Sequence, residues 1–413
     1  MVLRMKDFRH RDVWRCLRNR VQVDASFFIA SRLRFKGRIA MLCIAVSFLV
    51  MIVAVAISAG FRSELRSSLS EISGDVLISA PDLNVMSETS PLDASSQAVS
   101  YVGQSSLVSE VVPVVWRAGI VKHEENMHGV VLKGIPSAGD AADTVALGVS
   151  IPRRLAQASG LKPGDRMLTY FIGERLKVRQ FNVASVYDSM VETDGRHIVY
   201  ASMADLQRLN GWEDDQASAL EIHLKEEYAD EESIRMANEE IGFTVNAYSS
   251  EDEETVIATS TVSRFPQLFG WLDLIDFNVL FILVLMTIVA GFNMISGLLI
   301  MLFEHISTIG LLKALGMTDR SISKVFLSSS AVLVAKGMLW GNALALLFCI
   351  IQQKTHILKL DPENYYVSFV PVNVDFGLIL SADLISFAVI MLLLLIPCMF
   401  IARVDPAETV RVK

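Results

Sequence analysis

The chain alternates between long stretches without any charge and one long stretch in which apolar residues come in short runs. The uncharged stretches are Ile39 to Gly60, Phe277 to Phe303 and Leu384 to Ala402, and a fourth, Val325 to Ile351, is broken only by Lys336. About 20 apolar residues cross a ~30 Å hydrocarbon core as a helix. The pattern therefore predicts four membrane-spanning helices, one and then three. Its segments are a basic leader at 1–38, spans at 39–60, 271–303, 325–351 and 383–402, an outer domain at 61–270, a linking helix at 304–324, a loop at 352–382 and a tail at 403–413.

Within 61–270 the period changes. The sequence GFRSELRSSLSEIS carries the first span onward as an amphipathic helix. β-Type runs then follow at 75–79, 107–115, 119–122, 129–132, 166–171, 176–186, 197–200 and 219–224. Residues 152–158 and 203–210 read as short helices, and 226–240 as a charged one. Leu161 to Asp165 reads as a turn, with Pro163 fixing φ and Gly164 supplying an unusual backbone angle. At about 210 residues this segment is long enough to bury its own core. The expected fold class is an α+β membrane protein, with the large α+β domain between helices one and two and no internal repeat.

Charge orients this layout. The leader carries eleven Lys and Arg against three Asp, so the positive-inside rule puts the N-terminus in the cytoplasm. Four spans return the C-terminus, with Arg403, Arg411 and Lys413, to the same side. The outer segment then holds 32 acidic and 17 basic residues, which argues against a nucleic-acid surface. About 38 Arg-rich residues precede the first span, so it is expected to stay as an anchor rather than be cleaved. Cys16 lies in the leader and Cys43, Cys349 and Cys398 in spans, leaving the outer domain without a disulfide framework.

Candidate chemistry is sparse. Neither the G-x-x-x-x-G-K-[ST] loop nor a zinc-ligand spacing occurs, and Glu304-His305 lacks the second His of a metalloprotease helix. No catalytic, cofactor-binding or metal-binding residue is predicted. Lys336 is the ionisable residue expected well inside a span, at about 3 kcal/mol on insertion scales. It marks a functional contact, or the span starts later near Ser330, or Asn342, Asn293 or backbone carbonyls meet its charge. Gly337, Gly341, Asn342, Ala343 and Ala345 put small residues on one face, which suits close helix approach within the chain or at a dimer seam.

The stretch Phe303 to Phe326 stands apart, since it lies between two spans and is itself amphipathic. Ile306, Ile309, Leu312 and Leu315 recur at helical spacing, Gly316 reads as a stop, and a new helix is expected to start at Thr318 or Asp319. This predicts a short helix across the cytoplasmic mouth of the bundle.

Glu304 followed by Ile309 to Gly316, with Asp405-Pro406-Ala407-Glu408 near the end, resembles the signature of the FtsX/MacB-type ABC-transporter permeases. Phe28 to Arg34, Gly60 to Leu65, Val131 to Ile135, Leu147-Gly148 and Leu161 to Asp165 resemble, within that family, the lipoprotein-releasing permeases LolC and LolE. The resemblance covers nearly all of 25–413. Departures are the longer N-terminus, the run after Glu304, and Lys336 itself.

The resemblance implies an inner-membrane subunit that pairs with a second permease, the same or related, and docks on a cytoplasmic ABC ATPase dimer. ATP and Mg would be bound by that partner. It further implies that the linking helix couples the two, through Glu304, Ile309, Leu312, Lys313, Leu315 and Gly316. In the lipoprotein-releasing case a lipoprotein enters from membrane lipid into a cavity and passes to a periplasmic carrier. The implied lining is Val53, Ile57 and Phe61 on the first span and Phe265, Leu268, Leu272, Val279 and Ile282 on the second. Alternatives are an efflux or cell-wall-hydrolase permease of the same family, or a membrane sensor or scaffold that uses no ATP.

Overall fold

The computed structural model describes residues 38–81, 91–123, 126–136, 145–173, 176–188, 197–228, 230–248, 255–361, 365 and 367–399. The basic leader, the tail and the Asp405 to Glu408 motif lie outside them. The chain divides into a helical unit (residues to Phe61, Asp273–Leu358 and from Val370 on) and a sheet unit (Arg62–Leu272 with Lys359–Phe369).

In chain order the helices are α1 (Arg38–Ser73), α2 (Gln97–Gly103), α3 (Arg153–Ser159), α4 (Met203–Asn210), α5 (Glu231–Tyr248) and α6 (Thr261–Arg264). They continue with α7 (Pro266–Glu304), α8 (Ile306–Ala314), α9 (Asp319–Thr355), α10 (Phe376–Leu393) and α11 (Leu395–Cys398). Four stretches, α1, α7, α9 and Phe376–Cys398, are long and apolar enough to cross a membrane.

The helical unit packs around a core to which α1 contributes Ile44 and Phe48, α7 Met294 and Leu298, and α9 Phe326 and Val334. A close helix approach uses the predicted small-residue face, and it lies within the chain. A Cβ on Gly337 would stand 2.7 Å from Ile44 Cγ2, and one on Gly341 would stand 2.6 Å from the Ala45 carbonyl oxygen. Both glycines therefore let α9 lie directly on α1.

The last apolar helix departs from the pattern. It starts at Phe376, not at 383, because Asp375 caps it by accepting hydrogen bonds from the Gly377 and Leu378 amides at 2.7 and 3.2 Å. Asp383 is thus inside a helix, 5% exposed, and accepts a hydrogen bond from the Asn342 side chain of α9. A second polar tie joins the Thr287 and Ser386 hydroxyls of α7 and α10 at 3.1 Å. In a hydrocarbon setting such pairs hold helices together, because neither group has water to return to.

The strands are β1 (Val76–Ser79), β2 (Leu92–Asp93), β3 (Val108–His123), β4 (Asn126–Ile135), β5 (Gly148–Pro152), β6 (Arg166–Phe171), β7 (Lys177–Tyr187), β8 (His197–Ser202), β9 (Gln216–Ala217), β10 (Ala219–Leu224) and β11 (Ile257–Ser260). Nine of them form one sheet in the order β11-β1-β10-β3-β4-β8-β5-β7-β6, and β3 also pairs with β6. That second pairing closes six strands on themselves. Their interior is filled by residues such as Leu132, Val149, Ile151, Phe171, Phe181 and Val199.

The remaining arm, β11-β1-β10, joins the first half of β3 through Ala219↔Val114 and Ile222↔Val111. Helix α5 buries Ile234, Ala237, Ile241 and Val245, one stripe at helical spacing. It starts at Glu231, later than the expected 226, because Asp230 accepts from the Ser233 amide and hydroxyl at 3.0 and 2.6 Å.

Candidate functional site

The linking stretch is a helix-break-helix. His305 interrupts the chain after α7 with backbone angles of φ −109° and ψ 19°. The end of α8 is a complete Schellman motif. Gly316 is left-handed at φ 86°, its amide donates to Lys313 O at 2.9 Å, and the Met317 amide donates to Leu312 O at 3.0 Å. Thr318 then caps α9, its side chain accepting from the Ser321 amide. The predicted stop and restart both hold.

The side chains separate into two sets. Ile309 is 1% exposed and belongs to the same core as Met301, Ile322 and Phe326, while Leu312 and Met317 pack against that core. Ile309 therefore faces inward, which corrects its expected place on a docking surface. Glu304, Leu315 and Gly316 are exposed, as are Ile306 and Leu311. Leu315 is 76% exposed, the most of any apolar side chain in α8 or its cap. Lys313 is half-buried and pairs with Asp319 at 2.9 Å, tying the end of α8 to the start of α9.

The expected cavity residues fall in both units. In the helical unit Val53, Ile57, Val279 and Ile282 are half-buried and Phe61 is buried; Val53 packs beside Ile52, Ala345 and Ile379. In the sheet unit Phe265 is half-buried, whereas Leu268 and Leu272 are 5% and 2% exposed. The open face of α7 is formed by other residues, among them Phe277, Phe281, Leu285, Ile288 and Phe292.

Lys336 is exposed on α9, which is helical from Asp319 onward. Asn342, one of its expected partners, is committed to Asp383 instead.

A polar cluster in the sheet unit was not anticipated. Lys133 of β4 and Glu221 of β10 are 2% and 1% exposed, and their Nζ and Oε2 atoms are 2.7 Å apart. The same ammonium donates to Ile72 O at 2.7 Å and to Glu71 O at 3.4 Å, carbonyls in the last turn of α1. It lies 5.4 Å from the Trp116 ring centroid and 5.8 Å from that of Tyr200. Arg264, the last residue of α6, donates to Ser73 O at 3.1 Å.

Burial pushes the Glu221 carboxyl up to about 7 against the opposing pull of Lys133, and it lowers Lys133 and Arg264 below their ordinary values. The available signal was a lone charge in each of two otherwise apolar strands.

Residues 280–406 match the family model described as FtsX-like permease C-terminal. The chain is 20% identical over 407 residues to the lipoprotein-releasing system transmembrane protein LolC of Xylella fastidiosa (strain Temecula1 / ATCC 700964), covering 91% of this chain and 94% of that protein. It is 25% identical over 138 residues to LolC of Neisseria meningitidis serogroup B (strain ATCC BAA-335 / MC58), covering 32% and 33%. Among solved structures, the periplasmic region of MacB from Actinobacillus actinomycetemcomitans aligns with a TM-score of 0.31 and 12% identity, over 47% of this chain and 91% of that one.

Proposed function

We propose that this chain is an ABC-transporter permease of the FtsX/MacB type that serves a lipoprotein-releasing system of the inner membrane, a reading supported by its similarity to the FtsX-like permease model and to LolC. ATP hydrolysis by a cytoplasmic partner dimer, with its own ATP and Mg, is received at α8. The stroke passes to the sheet domain on the periplasmic side, and a lipoprotein is lifted from membrane lipid to a periplasmic carrier. A second permease subunit completes the bundle, and both termini are cytoplasmic.

The observation that carries this reading is the outer face of α8. Leu311 and Leu315, one turn apart on the same side, are 55% and 76% exposed on a helix whose inward side is fixed by Ile309 and whose end is locked by Gly316. Exposed apolar residues on a rigid short helix suit a groove on a soluble protein, since little conformational entropy remains to be lost on docking. Glu304, at the end of α7, is exposed too, whereas Lys313 is turned to Asp319. The half-buried Val53, Ile57, Val279 and Ile282 of the helical unit are the proposed cargo-lining residues, more accessible to an acyl chain than the buried Phe61.

Affinity capture of the full chain from its own membranes tests this. An ATPase subunit together with a lipoprotein carrier is the expected result, and Leu315→Asp should remove the ATPase while the chain stays folded. Capture of a tunnel protein or a cell-wall hydrolase would move the function to the family's other branch. Capture without any ATPase would favour a sensor or scaffold, and ATPase association that survives Leu311→Asp/Leu315→Asp would refute α8 as its docking surface.

A further inference from the structure

We propose that Lys133 and Glu221 are positioning residues of the transport stroke: the ammonium grips the carbonyl end of α1 so that movement of that helix is delivered to the sheet. This rests on the permease reading above.

Three observations carry it. First, the grip is aimed at a helix terminus. The last carbonyls of a helix have no partner within it and carry the negative end of its dipole, so a cation there is favourable. Lys133 meets Ile72 O at 2.7 Å and Glu71 O at 3.4 Å, and Arg264 meets Ser73 O at 3.1 Å.

Second, the cluster ties the end of α1 to the segment that leads into α7. The Thr261 hydroxyl donates to Gly74 O at 2.6 Å and the Thr261 amide to Asp75 O at 2.9 Å. Asp75 in turn accepts from Arg66 of α1 at 3.1 Å and from the Leu224 amide of β10 at 2.9 Å. The end of α1 is thus cross-linked at one spot to strand β10, to strand β4 and to α6, which directly precedes α7.

Third, stability alone is a poor reason for the pair. Taking both charges out of water costs about as much as their attraction returns, and well-packed apolar replacements are commonly neutral or stabilising. Here the accounting is worse than usual, because Glu221 Oε1 has no hydrogen-bond partner among the described residues. Trp116 and Tyr200 supply an apolar and aromatic wall that would tolerate a neutral side chain. What an apolar pair would lose is the directional hold on the α1 carbonyls.

The test uses the full chain reconstituted in liposomes with its ATPase and partner permease, and a fluorescent triacylated lipopeptide as cargo. Lys133→Met/Glu221→Leu removes both charges of the pair together and leaves Arg264 on the Ser73 carbonyl. Expected are a chain that stays folded, ATP turnover within about twofold of the parent, and cargo release reduced at least about tenfold. Spin labels at the exposed Glu71 and Ser109 should give a narrow distance distribution in the parent and a broad one in this variant.

Lys133→Glu/Glu221→Lys restores opposite charges but turns a carboxylate toward the α1 carbonyls, so it should be as defective as the neutral pair. Parental release by either folded variant, or an unbroadened distance distribution in the neutral variant, overturns the proposal. A parent that releases no cargo, while the neutral variant still broadens the distance, refutes the lipoprotein reading and leaves the grip intact.

Discussion

Gly341→Ala is the smallest change that tests how α1 and α9 meet. The added Cβ would lie 2.6 Å from Ala45 O, 2.8 Å from Phe48 Cβ and 3.2 Å from Leu49 N. Ordinary contact begins at 3.4 Å, so the helices would have to separate by about 0.8 Å at this point. Two of the three atoms are backbone and cannot rotate aside. Overpacking of this kind costs ~1–3 kcal/mol, against ~1 kcal/mol gained from replacing a helical glycine. With backbone atoms on the receiving side the cost falls in the upper part of that range, ~2–3 kcal/mol, which leaves a net loss of about 1–2 kcal/mol.

Gly270→Ala is the internal control, because its Cβ would meet nothing within 4 Å. It should stabilise by up to ~1 kcal/mol. Unfolding of the full chain by SDS in mixed micelles, followed by circular dichroism, should therefore move in opposite directions for the two variants. A Gly341→Ala chain that unfolds at the parental SDS fraction or above would refute the close approach of α9 and α1.

Three further outcomes follow from the same reasoning. Ile309→Asp should cost at least ~3 kcal/mol in that assay because it puts a charge in the core, whereas Leu315→Asp should stay within ~0.5 kcal/mol; equal losses would remove the distinction between the inward and outward faces of α8. Gly316→Ala places a Cβ at φ 86°, a penalty of ~1–2 kcal/mol, and should speed hydrogen exchange of the Met317 amide roughly tenfold; unchanged protection would argue against the Schellman lock.

Glu221 titrates near 7 when folded against an ordinary value of 4.5, so the unfolded chain loses its proton first as pH rises. Its contribution to stability is full below about 4.5 and lost above about 7, and Glu221→Gln should flatten the unfolding midpoint across that window. A variant with the parental slope there would show that another group is responsible.

Much of the helical unit was legible because membrane spans declare themselves by the absence of charge. The same rule misplaced the fourth, since Asp383 broke the uncharged run and the helix seemed to start after it. Asp375, a cap with seven apolar or small residues behind it, was the better landmark. In α8 the three-residue spacing of Ile306, Ile309, Leu312 and Leu315 looked like one stripe. At 3.6 residues per turn each such step drifts by about 60°, so Ile306 and Leu315 end half a turn apart. Only Ile309 and Leu312 face the core.

In the sheet unit, alternation found the longer half-exposed strands but not the short β2, β9 and β11, nor β5, whose five residues are all buried and which pairs in parallel with β7. It also split β3 in two, because the strand exchanges partners midway, from β10 to β4. The Lys133–Glu221 pair was hidden for a different reason. Strands β4 and β10 are separate neighbours of β3, and nothing local in either sequence says that their two charges meet beneath the end of a helix.

The place of β1 in the sheet sets the order of events when the protein is made. Val76 pairs with Ile222 on one side and Ser260 on the other, so the first strand synthesised waits for two of the last. At the ~5–20 residues per second typical of synthesis, the roughly 145 residues separating Val76 from Ile222 take about 7–30 s to appear. For that interval both edges of an apolar strand are open to any chain that passes. The growing chain thus carries an unpaired apolar strand through most of the synthesis of this domain, an aggregation hazard built into its topology.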